Sequence, residues 1–173
     1  MLYFFAAQAA GEIQAPGVPE TPGIYFRQDD SSWIRLQPAV TADAGTDGLQ
    51  LFVYTGGYTD LGMSIACPGP KAAVRISVAK PTLYARAVGS AKDAMLIRLA
   101  KKKDRRVCKM SFSNVSVGNK GGFRKEDIVN LISQDYPDGS FSVSPEKKLT
   151  PGEYLLVLGT AVPAYDFGVD RAK

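Results

Sequence analysis

Short apolar runs that alternate with polar residues, each stopped by Gly, Pro or Asp, recur from Gly23 to Val169. In Ser32-Trp33-Ile34-Arg35-Leu36 the alternation puts Ile34 and Leu36 on one side of an extended chain and Trp33 and Arg35 on the other. Ala73–Ala79 repeats the pattern, with Val74, Ile76 and Val78 opposite Arg75 and Ser77. A two-residue period builds a one-sided strand, whereas a helix needs a period near 3.6. The chain is thereby constrained to sheets before composition is considered. The 17 Gly and 11 Pro supply the turns that many short strands need.

The same signal predicts strands at Gly23–Arg27, Leu49–Tyr54, Met63–Cys67, Thr82–Ala87, Phe141–Val143, Pro151–Leu158 and Tyr165–Val169. Ala94–Leu99 and Val107–Phe112 read as the arms of a hairpin with KKKDRR at its tip. A helix across Ala91–Met110 is the rival there, and Val107, Cys108 and Phe112 favour strand. Ile128–Ile132 fits a short helix or a strand, and the turn at Tyr136–Gly139 tips it toward strand. The sum is about ten short antiparallel strands with little helix, an all-β chain of β-sandwich type, Ig-like or jelly-roll-like.

Organisation is simple. Residues 1–10 carry Leu2 to Ala7, an apolar run, then Ala7-Gln8-Ala9, a small-x-small pattern, and read as a signal-peptide remnant. Residues 11–22 are Pro-rich and polar, a flexible lead-in. Residues 23–173 form a single domain, within which 23–66 is a candidate N-terminal hairpin subdomain. The signal-like segment makes the expectation a secreted or periplasmic protein, and no run reaches the length of a membrane helix.

Chemistry is sparse. The chain has no histidine, which removes the commonest general base and the commonest metal ligand. Cys67 and Cys108 are its two cysteines. They lack the spacing and number of a zinc site. In an oxidising compartment they are candidates for a disulfide, which would close a loop of about forty residues and stabilise the fold by about 4 kcal/mol; two buried thiols are the alternative.

Charge is concentrated. Residues 101–109 hold six cations against Asp104, more positive charge than the whole chain's net +4. Lys101, Lys102, Lys103, Arg105 and Arg106 are therefore the candidate anion-binding residues, for a polyanion or a lipid headgroup. The competing reading is a solvated hairpin tip whose lysines keep a sheet edge from pairing.

Other motifs are weaker. Gly118–Gly122 lacks the spacing and the hydroxyl of a phosphate loop. Asp166-Phe167-Gly168 matches a kinase string without its companions. Trp33, Tyr54 and Tyr58 could stack on a sugar, although aromatics in small β domains usually fill the core. Asp29-Asp30 and Asp43 with Asp47 match no calcium-loop pattern. Asn114-Val115-Ser116 fits a glycosylation acceptor.

Four segments carry a resemblance: PGIYFRQDDSSWIRLQP (22–38), KPTLYARAVG (80–89), IRLAKKKDRRVC (97–108) and LTPGEYLLVLG with YDFGVD (149–170). They resemble uncharacterised secreted bacterial β-sandwich proteins of the Ig-like kind. That resemblance implies the fold and export and assigns no activity. The expectation is a non-enzymatic exported module for binding or cell-envelope structure, needing no cofactor and no metal. Its partner would be an anionic polymer, an envelope component or a protein. The alternatives are an anion-binding protein using 101–106 and, with no spacing to support it, a hydrolase working through paired carboxylates.

Overall fold

The computed structural model describes residues 16–38, 41–43, 61–113, 120–159 and 164–171. Within these the protein is all-β, in two sheets with two short 3-10 turns, at Ala91–Asp93 and Lys125–Asp127. The signal-like segment, the strand at Leu49–Tyr54, Tyr54 and Tyr58, Asp47, Asn114 and the 118–119 part of the Gly-rich loop lie outside the described residues.

The first sheet has five antiparallel strands. Its order is β11 (Leu131–Asp135), β12 (Phe141–Pro145), β6 (Leu83–Arg86), β1 (Gly23–Arg27) and β2 (Trp33–Leu36). β1 and β2 form the hairpin that the alternation predicts, with Ile24 opposite Leu36 and Arg27 opposite Trp33. This hairpin is not set apart from the rest, because β1 also pairs with β6, Ile24 against Ala85.

The second sheet has nine strands. Its main path runs β3 (Thr41–Asp43), β4 (Leu61–Pro68), β8 (Arg105–Ser113), β7 (Ala94–Lys101), β13 (Gly152–Leu158), β14 (Ala164–Val169), β5 (Arg75–Ile76). β10 (Ile128–Val129) joins β7, and β9 (Lys120–Phe123) joins β8. All these pairs are antiparallel except β5 with β14, which is parallel. The expected strand at Ala73–Ala79 shrinks to Arg75–Ile76, since β14 offers a partner only at Gly168 and Val169.

One apolar core draws on both sheets. Ile24, Phe26, Leu36, Leu83, Phe141 and Val143 meet Leu96, Tyr154, Leu156, Tyr165 and Phe167. A second cluster covers the opposite face of β7 and β13. There Ile97, Leu99, Leu155 and Val157 pack with Cys67 and Cys108 from β4 and β8. Each such buried side chain stabilises the fold by about 1.5–3 kcal/mol. Burial on both faces explains why β13 reads as the nearly unbroken run Tyr154–Leu158 rather than as an alternation.

The β7–β8 hairpin is where the second layer begins. β8 pairs with β7 only at Ala100–Val107 and Lys101–Arg106, then runs beside β4 from Arg105 to Phe112. This arm places Cys67 and Cys108 over the outward side of β13.

Gly89, at the turn after β6, has φ +60, and a Cβ there would stand 2.7 Å from the Leu158 Cβ. Only glycine lets this turn sit against β13 in that backbone conformation.

Candidate functional site

The hairpin predicted at 94–113 forms, and its turn is tight. The Lys102 N–H donates to the Arg105 carbonyl at 2.8 Å, leaving Lys103 and Asp104 as the two turn residues. Lys101, Lys102, Lys103 and Arg105 are exposed. The three lysines make no ion pair with any described residue.

Arg106 parts from this group. It is 2% exposed and faces the second cluster, on the same side of β8 as Cys108. Its Nε donates to the Gly69 carbonyl at 3.1 Å and its Nη2 to the Pro68 carbonyl at 2.6 Å. Its Nη1 donates to Asp166 Oδ2 and stands 3.6 Å from Glu153 Oε2. The sequence reading that gave Arg106 to an exposed anion site is corrected here: its donors are occupied by buried carboxylates and carbonyls. The physical reason is the strand period, which turns alternate residues of β8 inward.

Glu153 and Asp166 are themselves buried, at 8% and 6% exposure. Glu153 Oε2 accepts the Ala72 N–H at 2.8 Å, and Glu153 Oε1 accepts from Arg75 Nη1 at 2.5 Å. Arg75 also holds Asp170, through Nη2 at 2.6 Å and Nε at 3.3 Å. The Arg75 guanidinium lies directly over Gly168, in the space a Cβ would need. The string Asp166-Phe167-Gly168-Val169-Asp170 thus has a structural meaning. Two carboxylates flank a glycine notch on one side of β14, and an arginine from β5 fills the notch. Arg75 holds the Asp170 carboxyl below the usual carboxylate range, chiefly by hydrogen bonding. The same carboxyl and Glu153 hold the Arg75 guanidinium above its ordinary value.

Arg75, Glu153, Asp166 and Asp170 were not marked as a group from the sequence. A signal exists: Glu153 and Asp166 are charges inside strands otherwise apolar on both sides, and a buried charge requires a partner. Chain position alone does not name that partner.

Cys67 and Cys108 are buried free thiols. They stand diagonally across β4 and β8, where Cys67 faces Arg106 and Cys108 faces Ile65. Diagonal neighbours are about 7–8 Å apart, beyond the usual Cα separation of a disulfide. Burial pushes the Cys67 thiol up to about 12, helped by the nearby Asp166, with Arg106 opposing. Burial pushes Cys108 up to about 11.

Trp33 is half-buried and stands edge-on to Tyr25 and Tyr84, at 6.3 and 5.2 Å between ring centroids. Arg27 lies 5.7 Å over its ring. These contacts occupy the indole within the outer surface of the first sheet rather than presenting a flat stacking platform. Asp29 and Asp30 line a recess of about 280 Å³ together with Arg75 and Ser77. Asp30 is held below its ordinary value by hydrogen bonds from Ser32, which marks it as a turn residue. Among the described residues no group of three or more metal-ligating side chains is gathered, and no helix is long and apolar enough to cross a membrane.

No family model, curated protein or solved structure matches the chain.

Proposed function

We propose that the protein is an exported, non-enzymatic β-sandwich module that binds an anionic polymer of the cell envelope through its basic hairpin tip. The carrying observation is the contrast inside one turn. Lys101, Lys102 and Lys103 are exposed and have no carboxylate partner among the described residues, while Arg106, next inward, is locked by Asp166 and two carbonyls. A charged tip on a rigid anchor loses little conformational freedom on binding, which favours association. Lysines without internal partners are free to replace counterions on a polyanion.

The sandwich reading, of Ig-like or jelly-roll-like kind, is supported by the core shared between the two sheets and by two tyrosines. The Tyr25 hydroxyl donates to the Thr21 carbonyl and the Tyr154 hydroxyl to the Thr150 carbonyl, each at 2.7 Å and four residues back. Such a backward bond from a strand tyrosine resembles the tyrosine corner of Ig-like folds and supports that reading. Export is supported by the apolar run and small-x-small pattern at residues 2–9. A non-catalytic role is favoured because the most buried carboxylates among the described residues, Glu153 and Asp166, are committed to arginines.

The test is binding of the whole chain to an acidic polysaccharide, to nucleic acid and to anionic vesicles, each at low and moderate salt. The comparison is a variant carrying Lys101→Gln, Lys102→Gln and Lys103→Gln. The expected result is salt-sensitive binding to the polysaccharide that the variant loses. Equal binding by the two proteins, or none by either, sinks the proposal. Preference for nucleic acid or vesicles would reassign the ligand while keeping the site.

A further inference from the structure

The two outer edges of the five-stranded sheet are finished differently. At β2 the chain continues to Pro38, which bridges to Tyr165 of β14, so that edge is tied to the other sheet. At β11 no described strand pairs with the far side.

The hydrogen-bond phase of β11 can be read from its flanks. Tyr136 N–H donates to the Ser140 carbonyl, and Glu146 N–H donates to the Asn130 carbonyl, both at 2.9 Å. In the register that pairs Leu131 with Pro145 and Asp135 with Phe141, the even-numbered residues therefore bond toward β12. Leu131, Ser133 and Asp135 direct their N–H and C=O groups away from the sheet. Pro145, which has no N–H, sits opposite Leu131, where none is needed on that side. This open edge lacks the strongest of the usual protections. The strand LISQD contains no lysine, proline or bulge. It also presents Ile132, which at 53% exposure is the most exposed large apolar side chain among the described residues.

We infer that β11 is a self-association edge, and that its occupant is β11 of a second copy, antiparallel about a two-fold axis at Ile132. The register follows from the phase and from burial. With Ile132 facing Ile132 of the second copy, Leu131 and Ser133 of each chain fall opposite Ser133 and Leu131 of the other. Those are the residues with free backbone groups, and the pairing makes about four backbone hydrogen bonds. Ile132 then occupies a non-hydrogen-bonded pair, where cross-strand side chains approach most closely. Gln134 meets Asn130, and Asp135 falls past the end of the facing β11, where the chain turns into β10, so no like charges are opposed. A two-fold at Ser133 would instead place Leu131 against Asp135 and leave each Ile132 facing Gln134. Such an interface is isologous and closes at two copies.

The test is sedimentation of the whole chain over a range of concentrations, beside Ile132→Lys and Ser133→Pro. Ile132 is exposed, and the Ser133 N–H makes no bond toward β12, so both variants keep the fold's internal ladder. The wild type is expected to reach a mass of two copies, and each variant to remain at one. In a parallel arm, Ile132→Cys is treated with oxidised glutathione, which is reduced as two thiols join. It is expected to give a disulfide-linked dimer that the wild type and Gln134→Cys do not. A wild type that stays monomeric, a dimer that survives either variant, or an Ile132→Cys chain that fails to cross-link overturns the inference.

Discussion

Two halves of one charge run meet opposite surroundings. Lys101 to Arg105 lie in solvent at a two-residue turn, whereas Arg106 is 2% exposed and ringed by Asp166, Glu153 and two carbonyls. Residue type does not separate them, since Arg105 and Arg106 are adjacent and alike. What separates them is strand phase: Arg106 shares its side of β8 with Cys108, over the outward surface of β13 and β14. The tip is a surface that can be altered cheaply. The clamp beneath it fastens the β4–β8 arm to the rest of the sheet, with Arg106 on one side and Glu153 and Asp166 on the other.

The largest way to break this comparison is Arg106→Met. It fills a similar volume but leaves Asp166 and Glu153 buried without Arg106. Removing one partner of a buried pair costs about 3–5 kcal/mol. Chemical denaturation should show a loss of that size, and a loss below about 1 kcal/mol would mean that the arm is held by its apolar contacts alone. Gly168→Ala comes next. Its methyl would occupy the space of the Arg75 guanidinium, forcing that side chain off Glu153 and Asp170. Overpacking of this kind costs about 1–3 kcal/mol. The double variant Gly168→Ala with Arg75→Ala should recover part of that loss, because the clash is gone; no recovery would place the cost elsewhere.

Much of the sheet structure was legible in the sequence. β1 spans Gly23–Arg27 as expected although both its faces are buried, and β2, β6 and the 94–113 hairpin lie within a residue or two of the expected runs. Reading failed where alternation had no partner. Val74, Ile76 and Val78 alternate well, yet Val78 ends 36% exposed and only Arg75–Ile76 pairs. The candidate site was half legible. The exposed tip followed from composition, but the inward turn of Arg106 needed the strand phase to be carried back two residues from Cys108. Its partners Glu153 and Asp166 lie far along the chain, and only the β7–β13–β14 order brings them under it. The thiols were left open between bonded and free; in the structure they are unbonded, with Cys67 facing Arg106 rather than Cys108.

The thiols give a pH test of the clamp region. Both are held above the ordinary thiol value of 9.0, to about 12 and about 11. A group raised in the folded state adds stability that is fully present below its unfolded value. That stability is lost as pH rises from about 9 toward the folded values. Denaturation midpoints should therefore fall between about pH 9 and 11 more steeply in the wild type than in a Cys67→Ala, Cys108→Ala variant. At neutral pH the folded protein should react with a thiol reagent far more slowly than the denatured chain. Fast labelling of both residues in the native state would show that the β4–β8 arm opens readily, contrary to a tight clamp.

The smallest effect is expected at the tip, and its smallness is the point. Changing Lys101, Lys102 and Lys103 to Gln removes three exposed charges that have no described ion-pair partner. Exposed substitutions of this kind usually shift stability by no more than about 0.5 kcal/mol. Removing like charges crowded at one turn could raise stability slightly at low salt, and that gain should vanish as salt screens the repulsion. A loss comparable to that of Arg106→Met would show that the lysines belong to the clamp and would erase the division between tip and anchor. An unchanged midpoint together with lost polyanion binding would instead separate the two halves cleanly, with stability residing at Arg106 and recognition at the three lysines outside it.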